Sequence, residues 1–161
     1  MKTLLVVWHS RTGGARQMAE AAATAAAADV TVRLRPAGDA APQDVLAADG
    51  YIFACPENLA ALSGAMKEFF DRCYYPALDR LNGRPYAVFV CAGNDGSNAV
   101  RQIERIATGW RLRAVAAPLI VNTAAQSMDA ILAPKTIAGV DLAKCREIGA
   151  ALGAGLALGI F

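Results

Sequence analysis

The sequence predicts a doubly wound α/β fold, a three-layer sandwich whose five parallel strands are arranged in the order 2-1-3-4-5. Short, nearly continuous apolar runs alternate with helix-length amphipathic segments, which is typical of strands buried between two layers of helices. The second run alternates apolar and polar residues instead, as an edge strand does, and this places it outside the first strand. A chain of 161 residues suits one domain, predicted over residues 1–161.

The apolar runs define the boundaries of the predicted strands. In chain order, the strands are Leu4–His9, Val30–Arg35, Tyr51–Cys55, Tyr86–Cys91 and Ala114–Val121. Because proline cannot donate a ladder hydrogen bond, Pro118 within the fifth run predicts an edge strand or a bulge there.

Helices are predicted between and after the strands. Four segments fit a helix: Gly14–Ala28, Ala40–Ala48, Gly64–Tyr75 and Ser97–Leu112. Asp141 is predicted to cap a last helix. The glycines of that helix, Gly149, Gly153 and Gly155, would allow a close approach to the sheet or to a second subunit. The segment Asn122–Gly139 follows no helical or strand period and is predicted to be irregular.

Composition excludes several classes of protein. The 16 basic and 14 acidic residues give a net charge of +2, too even a balance for a dedicated nucleic-acid binder. The longest apolar run, Ile148–Phe161, has 14 residues, whereas a membrane-spanning helix needs about 20. We expect no signal peptide before the first strand, and the four widely spaced cysteines are typical of buried thiols rather than of a disulfide frame or a zinc site. We therefore expect a cytoplasmic protein without a metal site or a membrane span.

The loop after the first strand has the composition of a phosphate site. Ligands of such sheets bind beyond the carboxyl ends of the strands at the switch point, here between strands 1 and 3. The segment His9-Ser10-Arg11-Thr12-Gly13-Gly14-Ala15-Arg16 contains two hydroxyls and two glycines and runs directly into a helix. Free N–H groups and the helix dipole favour a phosphate there. The alternative is that Ser10 or Thr12 only caps the helix.

Two further loops flank this phosphate site. The segment Cys55–Gly64 begins at the end of strand 3, and Cys91–Asn98 begins at the end of strand 4. Both loops are polar and contain glycine, so their backbone donors and acceptors would hold a planar heterocycle between them.

These three loops resemble those of the flavodoxin-like superfamily, specifically its small NAD(P)H-dependent FMN reductases and quinone reductase-like proteins. The resemblance rests on Ser10-Arg11-Thr12-Gly13, on Pro56 followed by Ser63–Arg72, and on Ala92-Gly93 with Gly96. It extends over nearly the whole chain through the order of strands and helices. The fold that it implies is a flavodoxin-like sandwich.

The resemblance also implies an FMN site and an activity. The FMN phosphate would be surrounded by Ser10, Arg11, Thr12, Gly13, Gly14 and Ala15. One side of the isoalloxazine ring would be lined by Pro56, Glu57, Asn58 and Leu59, and the other by Ala92, Gly93, Asn94, Asp95 and Gly96. Asn58, Asp95 and loop N–H groups would set the hydrogen bonds of the ring. Hydride would pass from NAD(P)H through the flavin to a quinone or other small acceptor, with no side chain acting as a classical acid or base.

Two other functions stay open at this point. One is a flavodoxin-type electron carrier, although such carriers usually have a strongly acidic surface and this chain has a net charge of +2. The other is a flavodoxin-like binding module that has lost flavin. Two departures from the family pattern suggest it: Ala15 stands where the family usually has threonine, and neither ring loop contains an aromatic residue.

Three aromatic or titratable residues near the loops have more than one interpretation. His9, the only histidine, would either tune the phosphate or a substrate proton, or simply pack at the strand end. Tyr74 and Tyr75 would close over the site, form a dimer interface or fill space. A homodimer is one option, because relatives of this class often build the flavin site near a subunit interface.

Charged residues on the helices also have two interpretations. Lys67 and Asp71 are predicted to be a solvated i,i+4 pair, and Arg72 is predicted to anchor its helix. Four arginines would either hold a dinucleotide phosphate or lie on a solvated face: Arg101, Arg105, Arg111 and Arg113.

Overall fold

The computed structural model describes residues 1–161 as one sheet between two layers of helices. The strands are β1 (Thr3–Trp8), β2 (Thr31–Pro36), β3 (Gly50–Asn58), β4 (Ala61–Leu62), β5 (Pro85–Ala92), β6 (Arg113–Ala114) and β7 (Leu119–Asn122). The helices are α1 (Gly14–Ala26), α2 (Pro42–Ala47), α3 (Gly64–Ala77), α4 (Ser97–Gly109), α5 (Met128–Leu132) and α6 (Gly139–Leu158). The predicted elements are all present, and the ends of the first four helices differ from the prediction by at most three residues.

The sheet follows the predicted order. β2, β1, β3 and β5 lie side by side and are parallel, and β6 and β7 both pair with the far edge of β5. Because β5 corresponds to the fourth predicted strand and β6 with β7 to the fifth, the order 2-1-3-4-5 is confirmed. The predicted edge strand β2 has residues that alternate between exposed and partly buried.

Pro118 lies where the fifth strand is interrupted, as predicted. Tyr86 pairs with Ala114 and Phe89 pairs with Leu119, so three steps along β5 correspond to five along its neighbour. The two extra residues form a bulge that splits this edge of the sheet into β6 and β7.

The two faces of the sheet are covered by different kinds of core. The face under α2, α3 and α4 contains most of the large aromatic side chains, and four of them pack around Phe53: Phe69, Phe70, Tyr86 and Trp110. Full burial of each of these rings contributes about 2–3 kcal/mol. The face under α1 and α6 is lined mainly by alanines of α1 and by aliphatic strand residues, so the helices on that side lie close to each other and to the sheet.

Helices α1 and α6 approach each other more closely than side chains larger than glycine would allow. A methyl group at Gly149 would overlap the carbonyl oxygen of Ala22, and one at Gly153 would lie 3.0 Å from the carbonyl oxygen of Ala26. Gly155 lies against the ring of Phe161 instead. These glycines therefore contact elements of the same chain rather than the sheet or a second subunit, and a homodimer stays a prediction.

Replacing Gly149 with alanine is expected to lower the free energy of unfolding by about 1–2 kcal/mol. The overlap with the α1 backbone outweighs the stabilisation of roughly 1 kcal/mol that alanine brings to a helix interior. Gly139→Ala is the matched control, because a methyl group there has no heavy atom within 4 Å. Chemical denaturation followed by circular dichroism compares the two variants, and equal stabilities would contradict the close packing.

The start of α6 differs from the prediction. The N-cap residue is Ala138, and Asp141 lies inside the first turn, where its negative charge stabilises the positive end of the helix dipole. Asp141 therefore does not cap the helix, because the helix begins two residues before it. Neither α6 nor any other helix combines the length and apolar character needed to cross a membrane.

Candidate functional site

The carboxyl ends of β1, β3 and β5 meet at one edge of the sheet. Trp8 pairs with Ala54 of β3, and Pro56 of β3 pairs with Cys91 of β5. The helices that follow these strands, α1, α3 and α4, begin at the same edge. The three loops singled out in the sequence therefore lie together, on the side of the sheet where doubly wound proteins bind ligands.

The loop between β1 and α1 leaves the helix N-terminus uncapped. The Ser10 hydroxyl accepts a 2.9 Å hydrogen bond from the N–H of Gly13, which has a φ of 94°. No side chain caps α1, and its first turn contains no acidic residue. The predicted alternative, in which a hydroxyl only caps the helix, is therefore wrong. The N–H groups of Gly14, Ala15 and Arg16 have no carbonyl partner within the helix, which suits an anion.

The side chains of this loop divide into two groups. Arg11 is exposed and Thr12 partly exposed, so a charge and a hydroxyl are available to a ligand. Ala15 is buried with its methyl group in the core, and Gly14 is buried against β5, where a methyl group would lie 2.5 Å from Cys91 Sγ. Gly14 and Ala15 can reach a ligand through their backbone N–H groups only.

The loop predicted after the third strand is instead a β-hairpin. β3 continues to Asn58 and pairs with β4 in the antiparallel direction, with Glu57 opposite Leu62. The turn consists of Leu59 and Ala60, with φ values of 50° and 61°. Beyond Pro56, β3 has no parallel neighbour, so its last residues pair with their own chain. The hairpin places the Leu59 side chain, fully exposed, at its tip.

Helix α4 holds this hairpin in place. The Glu57 carboxylate accepts hydrogen bonds from the N–H groups of Gly96 (2.9 Å) and Ala99 (3.1 Å), and so caps α4 from outside the helix. Asn98 Nδ2 donates to the carbonyl of Ala60 at 2.6 Å. Gln102 Oε1 of α4 also accepts from the N–H of Leu62 at 2.9 Å. Glu57 therefore joins the two ring loops, and its carboxylate is used within the protein.

The polar side chains of the loop between β5 and α4 are also bonded within the protein. Asp95 accepts hydrogen bonds from the N–H and the hydroxyl of Ser97, at 3.2 and 2.7 Å. Asn94 Oδ1 lies 3.3 Å from Gln126 Nε2. The Asn58 side chain, by contrast, makes no hydrogen bond within the protein, so of the two side chains predicted to bond the ring it is the one left free.

A fourth segment, residues 122–137, borders the site. Its position at the site was not predicted from the sequence. The N–H of Lys135 donates to the carbonyl of Thr12 at 2.8 Å, and Gln17 bonds both the carbonyl of Lys135 and the N–H of Ile137. Further along, a methyl group at Gly93 would lie 2.8 Å from the carbonyl oxygen of Ala125. The segment contains α5 and is otherwise irregular, as predicted. No local signal reveals this role, because the contacts join residues far apart in the chain.

His9 is anchored by a buried serine. Its Nδ1 lies 2.8 Å from the Oγ of Ser63, whose side chain is fully buried at the start of α3. Burial, and secondarily the charge of Arg11, lower the pKa of His9 below its ordinary value, so the ring is neutral at pH 7. Burial raises the pKa of the thiol of Cys55, a neighbour of Ser63, to about 11, which keeps it protonated.

The tyrosines that follow the site lie far from it. Tyr74 stacks on Trp110, and its backbone carbonyl accepts a hydrogen bond from Trp110 Nε1 at 3.0 Å. Both Tyr74 and the exposed Tyr75 lie in the last turns of α3, at the opposite end of the helix from Ser63. Tyr74 therefore fills space, and neither ring closes over the site.

The charged helix residues mostly stabilise surfaces away from the site. Lys67 and Asp71 form an exposed pair at 2.5 Å, and Arg72 anchors α3 by donating to the carbonyls of Ala37 and Ala40. The four arginines do not cluster. Arg101 bonds Asn98, Arg105 is exposed, Arg111 pairs with Asp79 and Arg113 lies over the Phe161 ring.

The fold and the site together define a class of protein. An uncapped helix N-terminus beside two loops, at the switch point of a 2-1-3-4-5 sheet, is the arrangement of a flavodoxin-like, mononucleotide-binding α/β protein. Comparison with known families matches residues 26–127 to the NADPH-dependent FMN reductases. The chain belongs to this family. The matched segment includes the hairpin and the β5–α4 loop, and the β1–α1 loop precedes it.

Individual proteins agree with this assignment. A flavodoxin of Aquifex aeolicus is 34% identical over 98 residues, which cover 60% of this chain and 53% of that protein, so the match spans about half the length of the relative. A solved flavodoxin from the domain Archaea superposes with a TM-score of 0.79 at 17% identity, covering 96% of this chain and 98% of the other. A WrbA-like flavodoxin from Agrobacterium tumefaciens gives a TM-score of 0.68 at 21% identity, with 96% of each chain covered. The two structural similarities establish the fold.

Proposed function

We propose that this protein is an NADPH-dependent oxidoreductase that uses FMN, bound across the three loops, to reduce a quinone or another small acceptor. The observation that carries the proposal is the uncapped N-terminus of α1, with a free arginine and a free hydroxyl, beside a hairpin whose exposed tip is apolar. One end of the site suits a doubly charged phosphate, and the other suits a planar, mostly apolar ring.

The phosphate end is suited to FMN by its backbone. The N–H groups of the first turn of α1 would bind the phosphate oxygens, with Arg11 and the Thr12 hydroxyl beside them. Ala15 lacks the hydroxyl usual at its position, but its side chain is buried, so its contribution is the N–H alone. The absence of an acidic residue in the first turn leaves no charge there to repel the phosphate.

The ring end is suited to FMN by the hairpin and the β5–α4 loop. Leu59 would cover the ring and exclude water from it, which replaces the aromatic residue that neither loop contains. The free side chain of Asn58 and the backbone of residues 92–96 would bond its polar edge. Bound FMN supplies hydride acceptance and donation, so the protein need only orient the reactants and exclude water. We further propose that residues 1–161 form one functional domain.

Binding of FMN by the purified protein is expected to saturate at one flavin per chain. Riboflavin, which lacks the phosphate, is expected to bind at least about tenfold more weakly, because charge-assisted hydrogen bonds are lost. Quenching of flavin fluorescence measures both affinities. Failure to bind FMN at micromolar concentration would overturn the proposal and favour a binding module without flavin.

A flavodoxin-type electron carrier is the second candidate, because the Aquifex aeolicus relative and several fold neighbours are flavodoxins. Steady-state oxidation of NADPH and of NADH, with a quinone as acceptor, separates the two functions. A reductase turns over with one of the two nucleotides, whereas a carrier binds FMN without turnover.

A further inference from the structure

The hydrogen bond between His9 and Ser63 joins the two halves of the site. His9 directly precedes the β1–α1 loop, and Ser63 lies between the hairpin and α3. Ser63 is the only buried residue among the serines, threonines, asparagines, glutamines and charged residues. The imidazole is partly exposed, and its second nitrogen, Nε2, makes no hydrogen bond within the protein.

The direction of this hydrogen bond follows from counting protons. A neutral imidazole carries one N–H, on either Nδ1 or Nε2, and a serine hydroxyl carries one proton. If Nδ1 carried the proton, it would donate to Ser63, and the buried hydroxyl proton would need another acceptor. The neighbouring group that could accept this proton is the thiol of Cys55, and a protonated thiol is a weak acceptor.

The favourable arrangement is therefore a chain of donors directed outward. Ser63 O–H donates to His9 Nδ1, whose lone pair is a strong acceptor, and the imidazole proton is then on Nε2. Leaving a buried hydroxyl without an acceptor would cost about as much as a lost hydrogen bond, so this tautomer is strongly preferred.

We infer that Ser63 holds His9 as the Nε2–H tautomer, and that this N–H donates to an oxygen of the ribityl phosphate arm of FMN. The inference rests on the proposed function. His9 adjoins Ser10 of the phosphate loop on one side and the N-terminal end of α3 on the other, so an arm joining the two ends of the site would pass beside the partly exposed imidazole. His9 is then a binding residue and Ser63 a positioning residue.

The tautomer can be measured without flavin. Because His9 is the only histidine, long-range proton–nitrogen correlation spectra of ¹⁵N-labelled protein contain a single imidazole. We expect a protonated Nε2 and an unprotonated Nδ1. Ser63→Ala is expected to give a mixture of tautomers, and Ser63→Thr, which retains the hydroxyl, to restore the wild-type pattern. A protonated Nδ1 in the wild type would overturn the inference. This measurement uses the wild-type protein alone, so it does not depend on whether Ser63→Ala folds.

Binding of three flavins locates the acceptor. His9→Asn, whose amide is too short to replace Nε2, is expected to weaken FMN binding about tenfold, and His9→Gln, which is longer, to restore part of the loss. If His9→Asn loses affinity for FMN but not for riboflavin, the acceptor is a phosphate oxygen. If it loses the same affinity for riboflavin, the acceptor is a ribityl hydroxyl. An equal loss for lumiflavin, which has no ribityl arm, or unchanged FMN affinity would overturn the inference. Failure of the wild type to bind FMN would instead overturn the proposed function.

Discussion

Replacing Glu57 with alanine is expected to lower the free energy of unfolding by about 2–4 kcal/mol and to weaken FMN binding at least tenfold. The carboxylate accepts two hydrogen bonds from N–H groups at the start of α4, and hydrogen bonds to a charged group contribute about 1.5–3 kcal/mol each before partial replacement by water. The same two bonds tie the hairpin to the β5–α4 loop. Losing them frees the two loops to move apart, which the ring site cannot tolerate.

Chemical denaturation and flavin titration check both effects. Glu20→Ala is the matched control, because it removes a carboxylate that forms only an exposed pair with Arg16, worth a few tenths of a kcal/mol. Glu57→Gln keeps one acceptor oxygen and is expected to lie between wild type and Glu57→Ala. A stability of Glu57→Ala within about 0.5 kcal/mol of wild type would show that water replaces the carboxylate without cost.

Replacing Gly14 with alanine is expected to lower the free energy of unfolding by about 2–3 kcal/mol and to reduce FMN affinity at least tenfold. The new methyl group would lie 2.5 Å from Cys91 Sγ, and overpacking of this kind costs about 1–3 kcal/mol. The overlap is relieved by rotation of the buried Cys91 side chain or by movement of α1 away from β5, and movement of α1 displaces the N–H groups that the phosphate needs.

A second substitution tests the cause directly. Cys91→Ala removes the sulfur atom, and the next atoms near the methyl group, Cys91 Cβ and Ile137 Cδ1, are 3.5 Å away in ordinary contact. The double variant is therefore expected to recover most of the stability and affinity lost in Gly14→Ala. A double-mutant cycle measures the coupling. Additive losses would mean that the overlap with Cys91 is not the reason why Gly14 is required.

The two ends of the site differ in how far the sequence could predict them. The phosphate end is local, because Ser10, Gly13 and the first turn of α1 are contiguous and their backbone geometry follows from residue type. The ring end is not local. The pattern of residues 56–59 indicates a polar loop, and nothing in it shows that the strand continues and turns back at Leu59. Pairing of residues 57 and 58 with 61 and 62 is decided by the absence of a parallel neighbour at that point of the sheet.

Several residue roles depended on distant partners in the same way. Glu57 was predicted to line the ring, and its carboxylate caps a helix that begins 40 residues later. The glycines of α6 indicated a close approach, but only the structure identifies α1 as the element approached. Tyr74 had three interpretations that sequence could not separate, and stacking on Trp110 leaves packing as its role.

The sequence by itself determined the fold class, the order of the strands, the interrupted fifth strand and the glycine-rich loop at the start of α1. These features follow from patterns of apolar and turn residues over a few positions, which constrain the backbone wherever they occur. Only the tertiary structure decided the hairpin, the capping of α4 by Glu57, the border formed by residues 122–137 and the partner of His9. The last three are hydrogen bonds or contacts between segments far apart in the chain, and the hairpin, although its two strands are neighbours in sequence, is held by such bonds to α4. Polar side chains acquire these partners from packing rather than from their own neighbours in sequence.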